Sequence, residues 1–438
     1  MGRNSKKRRD AKRRKDAGGR RGPRGTAFGD AGGVGQSEWS GADALGFADQ
    51  LIVAELRRIA RSGAKAPELV ERAELLRRRM APLPVSLLAE ALRGRLARVV
   101  TTVADLGWSP EDLGELVSRQ GYEPDLRLLV DLLTEDAART KGLSPAWHAQ
   151  LEGLGPPGRV SLDTAGGLAH GLGLAALLGA LPEIPPTISR SGSALAAAGP
   201  VGDHKKLAKV RALLAKAEST QYDAEAEALS AKAQELISRY ALDRLLAAGS
   251  QPTSGAGHGV AARRIWLDAP YLLAKAALVN EVALANRCRS VVMEQPGFCT
   301  VVGDPPDLEA IELLVTSLLA QGTAAMVRHG RHVDGRGVSR TRSFRLSFLF
   351  SYAARIGQRL REAAQHVVSD SGEAQRLLPV LRDQESRVDS AMDAMFPRLV
   401  KKSASVSNEL GWVAGHAAAD LALLDIREQV TETAGSSS

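Results

Sequence analysis

Apolar residues recur three and four positions apart along most of the chain, the spacing that lines one face of an α-helix. Between residues 38 and 152 this pattern predicts helices at 44–61, 69–79, 85–106 and 126–140. The turn Gly107-Trp108-Ser109-Pro110-Glu111-Asp112 reads as a helix start. Ser109 is the expected N-cap, and Pro110 takes the first helical position, where a missing N–H does no harm. A stretch from 155 to 202, with Pro156, Pro157, Pro182, Pro185, Pro186 and Pro200, then breaks the periodicity. The helical pattern resumes at 204–242 in two runs. Leu207, Val210, Leu214 and Ala217 line the first, with Lys205, Lys206, Lys209 and Lys216 elsewhere around it. Ala226, Leu229, Ala233, Leu236 and Tyr240 line the second, which Asp223 is placed to cap and whose first turn Glu225 and Glu227 suit. Together the two runs predict a helical hairpin.

Downstream the period changes. A helix at 271–286 precedes two short β-rich runs, 289–294 and 298–302, on either side of Pro296-Gly297, which predicts a β-hairpin. In that register Cys288 and Cys299 do not face each other, so both are expected as free thiols. Asp304-Pro305-Pro306-Asp307 opens a helix carrying Ile311, Val315, Leu318, Gly322 and Ala325. The next helix repeats Leu346, Leu349, Ala353, Ile356, Leu360, Ala363 and Val367 without a break, and amphipathic segments at 380–396 and 412–424 follow.

Composition agrees with a helical reading. Aromatic residues make up only 4% of the chain against 44% apolar residues, so the cores must be built from Leu, Ala and Val. At 438 residues more than one core is expected. The predicted fold is mainly α with a small α+β C-terminal domain, a short β-hairpin packed among helices. The expected layout is a disordered basic tail (1–37), a helical N-terminal domain (38–154), a Pro/Gly-rich linker (155–203), the helical hairpin (204–246), the α+β domain (262–425) and a disordered end (426–438). Two cysteines without a C-x-x-C pair argue against a disulfide-stapled secreted domain or a structural zinc site. No signal-peptide core follows the charged start. The least polar stretch, 164–181, holds His170 and five glycines and reads as a buried helix or linker rather than a membrane span. A cytoplasmic protein without membrane contact is the expectation.

Several of these segments carry a family resemblance. Lys209-Val-Arg-Ala-Leu-Leu-Ala-Lys-Ala-Glu-Ser-Thr220, Glu225-Ala-Glu-Ala228 and Lys232-Ala-Gln-Glu-Leu236 resemble the bacterial domain of unknown function 2786. Val301-Val-Gly-Asp304, Asp307-Leu-Glu-Ala310 and Ser339-Arg-Thr-Arg-Ser-Phe-Arg345 resemble the companion domain that commonly follows it, and the Gly107-Trp108 region is similar to the helical N-terminus of longer members. The resemblance implies a helical hairpin followed by its companion, and no activity. The basic tail does not belong to that pattern.

Charge changes the picture more than composition does. Residues 1–25 carry twelve Lys and Arg against Asp10 and Asp16, a net of +10 in a chain whose total is +8, so the remainder is nearly neutral. Lys6, Lys7, Arg8, Arg9, Lys12, Arg13, Arg14 and Lys15 form two basic blocks suited to polyanion binding by counterion release, without sequence readout. A solvated charge run is the plainer alternative. A second basic region, from Arg328 to Arg361, holds nine arginines and one acid, Asp334. Within it Arg340, Arg342, Arg345, Arg355 and Arg359 are candidate nucleic-acid contacts. Phe344, Phe348 and Tyr352 fall on the same helical stripe as Arg355 and Arg359, an arrangement that would suit stacking on unpaired bases. The competing reading is a central helix that packs on both sides in its first half, with solvated arginines beyond. An excess of 44 Arg over 14 Lys is also consistent with genomic composition.

Other candidate chemistry is sparser. Glu385, Asp389 and Asp393 recur at i, i+4, i+8, which admits a divalent metal for phosphodiester chemistry or simple pairing with arginines. His329 and His332 sit among arginines that oppose cation binding, and His148, His170, His258, His366 and His416 are isolated. The chain has no P-loop, no dinucleotide-binding G-x-G-x-x-G, no H-E-x-x-H and no G-x-S-x-G, while Ser62-Gly-Ala-Lys65 matches S-x-x-K by spacing alone. No cofactor is implied and no catalytic residue stands out. The leading expectation is a non-enzymatic nucleic-acid-associated protein binding RNA or DNA without sequence preference, with 204–242 open to a protein partner. A metal-dependent enzyme using Glu385, Asp389 and Asp393, or a helical interaction scaffold, are the alternatives.

Overall fold

A computed structural model describes residues 40–63, 66–121, 123–191, 204–219, 223–249, 259–333, 335–399, 410 and 413–416. The expected tails at 1–37 and 426–438 lie outside these residues, as does most of the segment 412–424.

Among the described residues the N-terminal half has seven helices: α1 (Gly41–Ser62), α2 (Ala66–Met80), α3 (Ser86–Asp105), α4 (Pro110–Gln120), α5 (Glu123–Arg139), α6 (Pro145–Gly153) and α7 (Ala165–Gly179). Side-chain caps fix several of the starts. Ser40 accepts from Asp43 N, Ser144 from Trp147 N and Thr164 from Gly167 N. At α4 the expected cap closes into a full capping box, since the Asp112 carboxylate also accepts from the Ser109 amide at 3.1 Å. Before it, Gly107 turns the chain at φ 95°, where a Cβ would lie 1.9 Å from the Ile184 carbonyl oxygen.

Residues 155–203, expected as a linker, do not run as one throughout. Within them α7 buries Leu168, Leu172, Leu174, Ala175 and Leu178 against Leu92, Leu96 and Val100 of α3. Gly171 allows this approach, because a Cβ there would come within 2.6 Å of Leu92 Cδ2. A glycine-rich stretch resembles a linker in composition, yet helices pack closest where side chains are smallest. Trp147 and Trp108 are buried in the same half, and the Trp108 indole donates to the Pro182 carbonyl at 2.9 Å.

The expected helical hairpin is α8 (His204–Ser219) and α9 (Asp223–Gly249). Its inward residues Leu207, Val210, Leu214, Ala233 and Ile237 join one core with the elements that follow. These are β1 (Ala261–Trp266), α10 (Leu272–Ala285), β2 (Arg289–Met293), β3 (Phe298–Gly303), α11 (Pro305–Arg328), α12 (Thr341–Asp370) and α13 (Ala374–Met395). The three strands form an antiparallel sheet in the order β1-β3-β2. Every residue of central β3 is buried, which is why its sequence holds no charged residue and shows no apolar–polar alternation. Cys299 and Val301 face the helical core, whereas Phe298 packs into the N-terminal half and Val302 meets Val388 and Met392 of α13.

Among the described residues the protein is therefore mainly α with one small antiparallel sheet. β1 is an addition to the expected hairpin. Arg263 and Arg264 at its centre obscure a strand pattern, and pairing with β3 creates it (Arg264↔Thr300, Ile265↔Cys299). The Arg264 charge is accommodated because the N-terminal half brings Asp112 to it, in a buried ion pair. Cys288 and Cys299 are buried free thiols. By length and composition α11 alone among the described helices meets the criteria for a membrane span, and half of that stretch is buried inside the fold.

Candidate nucleic-acid interface

The basic region between α11 and α12 folds into an exposed finger. Helix α11 ends at Arg328, and Gly330 at φ 71° turns the chain out of it. Val333 and Ser339 then form an isolated antiparallel bridge, with Gly337 at φ 77° in the return. The base is closed by local bonds: the Arg340 amide donates to the His332 carbonyl at 2.8 Å, and the His332 amide donates to Thr341 Oγ1 at 3.0 Å. His332 also stacks its ring on Phe344 at a centroid distance of 3.6 Å, while His329 lies beside Phe344 and Phe348. The two histidines thus anchor the finger to the core, which explains their spacing without a metal.

Arg328, Arg331, Arg336, Arg340 and Arg342 are exposed and Arg345 is half-buried, giving residues 328–345 six arginines against the single Asp334. Val327, Val333 and Val338 are exposed beside them. Helix α12 begins here with Arg340 as its N-cap and no side-chain cap bond, so the positive end of a 30-residue helix adds to the arginine charge. Electrostatically the site can hold phosphates. It displays no Phe, Tyr or Trp to solvent, because Phe344, the only aromatic ring of these three kinds in the finger, is buried.

The stripe on α12 divides accordingly. Phe344, Phe348 and Tyr352 face the core at 2%, 0% and 1% exposure, and Leu349, Ile356 and Leu360 are buried as well. Burial also pushes the Tyr352 phenol above its ordinary range. The aromatic half of the stripe is therefore packing surface, with no ring free to stack on a base. Arg355 and Arg359 continue the helix as half-buried residues, and Arg355 Nη1 donates to Gln358 Oε1 at 2.9 Å. Lys6, Lys7, Arg8, Arg9, Lys12, Arg13, Arg14 and Lys15 lie outside the described residues.

Glu385, Asp389 and Asp393 are exposed along α13, and Asp389 pairs with Arg289 at 2.7 Å. Among the described residues no group of three or more His, Cys, Asp or Glu is arranged to hold a metal. Sequence reasoning missed a different acidic pair, Asp304 and Asp307. Gln384 Nε2 donates to both at 3.0 Å, Arg287 Nε donates to Gln384 Oε1 at 3.1 Å, and Arg244 of α9 pairs with Asp307. Burial, reinforced by the neighbouring Asp307 charge, holds the Asp304 carboxyl above the usual range. This node ties the hairpin to α11 and α13. Its only trace in the sequence is the pair of acids flanking Pro305-Pro306, within the companion-domain resemblance.

No curated protein and no solved structure matches the chain. A family model described as a protein of unknown function (DUF2786) matches residues 205–244, the hairpin of α8 and α9.

Proposed function

We propose that the protein is a non-enzymatic, cytoplasmic nucleic-acid-binding protein that grips phosphate backbones through the finger at residues 328–345. The observation that carries this reading is the exposure of five arginines on one short projection, beside the positive end of α12. Sequence-independent binding follows from the same geometry. Guanidinium groups and helix N-termini contact phosphates, whereas readout of unpaired bases needs accessible rings, and those of α12 are buried. The basic blocks from Lys6 to Lys15 add diffuse affinity, and Arg355 and Arg359 extend the surface along α12.

A salt series with random-sequence RNA and DNA tests this, using the full chain, a deletion of residues 1–25 and the triple variant Arg336→Ala, Arg340→Ala, Arg342→Ala. Each phosphate contact contributes about −0.9 to the slope of log K against log salt on duplex DNA, so the triple variant is expected to flatten it by about 3. The deletion is expected to retain weaker binding with a measurable slope. A deletion that binds nothing, or a triple variant whose slope equals that of the parent, overturns the assignment of the finger.

A further inference from the structure

A second surface lies on the sheet. β1 is an edge strand, paired with β3 on one side and, among the described residues, with no strand on the other. The register decides where its backbone groups point. Just beyond the ladder Leu267 N donates to the Gly297 carbonyl at 2.8 Å, and bonded pairs alternate along antiparallel strands. Ala261, Arg263 and Ile265 therefore bond to β3, whereas Ala262, Arg264 and Trp266 aim their N–H and C=O groups outward. Among the described residues no hydrogen bond reaches those outward groups.

A groove of about 580 Å3 runs along this free edge, lined by all six residues of β1. Glu111 and Glu115 of α4, with Thr187 and Ile188, form one wall, and Leu308 and Glu312 of α11 form the other. Charged side chains commonly shield a sheet edge from pairing. Here both arginines are drawn away from it, Arg264 to Asp112 and Arg263 to Glu312, so the strand backbone stays open to the groove. An array of outward N–H and C=O groups on alternate residues matches the backbone of another strand. The rim adds a charge preference. Glu111 is exposed, and among the described residues its carboxylate meets only the neutral Gln150, whose Nε2 donates to it at 2.8 Å.

We propose that β1 accepts an extended segment of a partner protein as a fourth strand, with lysine or arginine at alternate positions facing Glu111. Backbone bonds to Ala262, Arg264 and Trp266 supply the affinity, and the glutamate rim selects a basic segment over an acidic one. The site is independent of the arginine finger.

Fluorescence anisotropy of the full chain with labelled eight-residue peptides tests the proposal, one alternating lysine with threonine and one alternating glutamate with threonine. The lysine peptide is expected to bind at least about tenfold more tightly. Methylating the backbone nitrogens of its lysines, or those of its threonines, blocks the N–H groups of one strand edge only. One of these two peptides is expected to lose binding and the other to keep it. Ala262→Pro removes an outward N–H and no ladder bond, so it is expected to abolish binding with an unaltered thermal melt. Glu111→Gln is expected to reduce the preference for lysine over glutamate. The proposal is overturned if the lysine peptide does not bind, if the two methylated peptides bind alike, or if Ala262→Pro binds as the parent does. It is equally overturned if the peptides fail while the chain self-associates in a manner that Ala262→Pro prevents, since a second copy is then the occupant.

Discussion

Replacing Arg264 with methionine removes the charge at the contact between the two halves of the protein while keeping most of the side-chain volume. Its guanidinium group is 2% exposed, pairs with Asp112 and donates to the Pro185 carbonyl at 2.7 Å. It also lies over the rings of Trp108 and Phe298 at 5.8 and 5.3 Å. Burial pushes the group down to about 10, so it remains charged at neutral pH. Without it Asp112, 6% exposed at its side chain, keeps only the two bonds from Ser109, through the amide at 3.1 Å and the hydroxyl at 2.6 Å. Removing one partner of a buried pair costs about 3–5 kcal/mol, and the surviving Ser109 bonds place Arg264→Met near the lower end. Asp112→Asn leaves the guanidinium group unmatched and should cost a similar amount, whereas the double variant strands no charge. The double variant should therefore lose about 1–3 kcal/mol less than the sum of the single effects. Urea unfolding followed by tryptophan emission suits the measurement, since Trp108 and Trp266 flank the contact. Arg264→Met should also split the transition, the two halves then unfolding apart. Additive single effects, or a loss below about 1 kcal/mol with one sharp transition, would refute the reasoning.

Three further outcomes are expected. Tyr352→Ala should cost about 3–5 kcal/mol in urea unfolding, because the ring is fully buried, and salt-dependent polynucleotide binding by the folded fraction should stay unchanged; a loss of affinity at full foldedness would place the ring in the interface instead. Burial pushes the Cys299 thiol up to about 12 and raises Cys288 further, so neither should react with a thiol reagent at pH 8 until denaturant is added; rapid labelling of the native chain, read by mass spectrometry, contradicts this. Asp304→Asn concerns a carboxyl held above its ordinary range, which means the folded state binds its proton more tightly than the unfolded state. Stability from this group is therefore lost as pH rises above the usual carboxylate range, so the variant should be more stable than the parent at pH 7, with the difference shrinking towards pH 3. Equal pH profiles for the two proteins would show that burial and Asp307 do not strain this carboxyl.

Much of the helical framework is written locally. The three-four spacing marked the helices that became α1, α3, α5, α8 and α12, and the Ser109-Pro110 cap was readable because its partner, Asp112, lies three residues away. The short β-rich run of β3 was visible for the same reason, since burial on both faces keeps charged residues out of it. What escaped the sequence depends on residues brought together from afar. α7 was obscured by its glycines, whose value is that α3 can approach them. Periodicity placed Phe344, Phe348 and Tyr352 on one stripe of α12, but not whether that stripe faces solvent or core, because several helices compete to cover it. β1 exists only by pairing with β3, and its central arginine is tolerated only because Asp112, 152 residues earlier, arrives to neutralise it. Helix propensity and capping act within a turn or two of chain, so the sequence alone carries them. Burial of a charge and the choice of a face are settled only by the free energy of the assembled core.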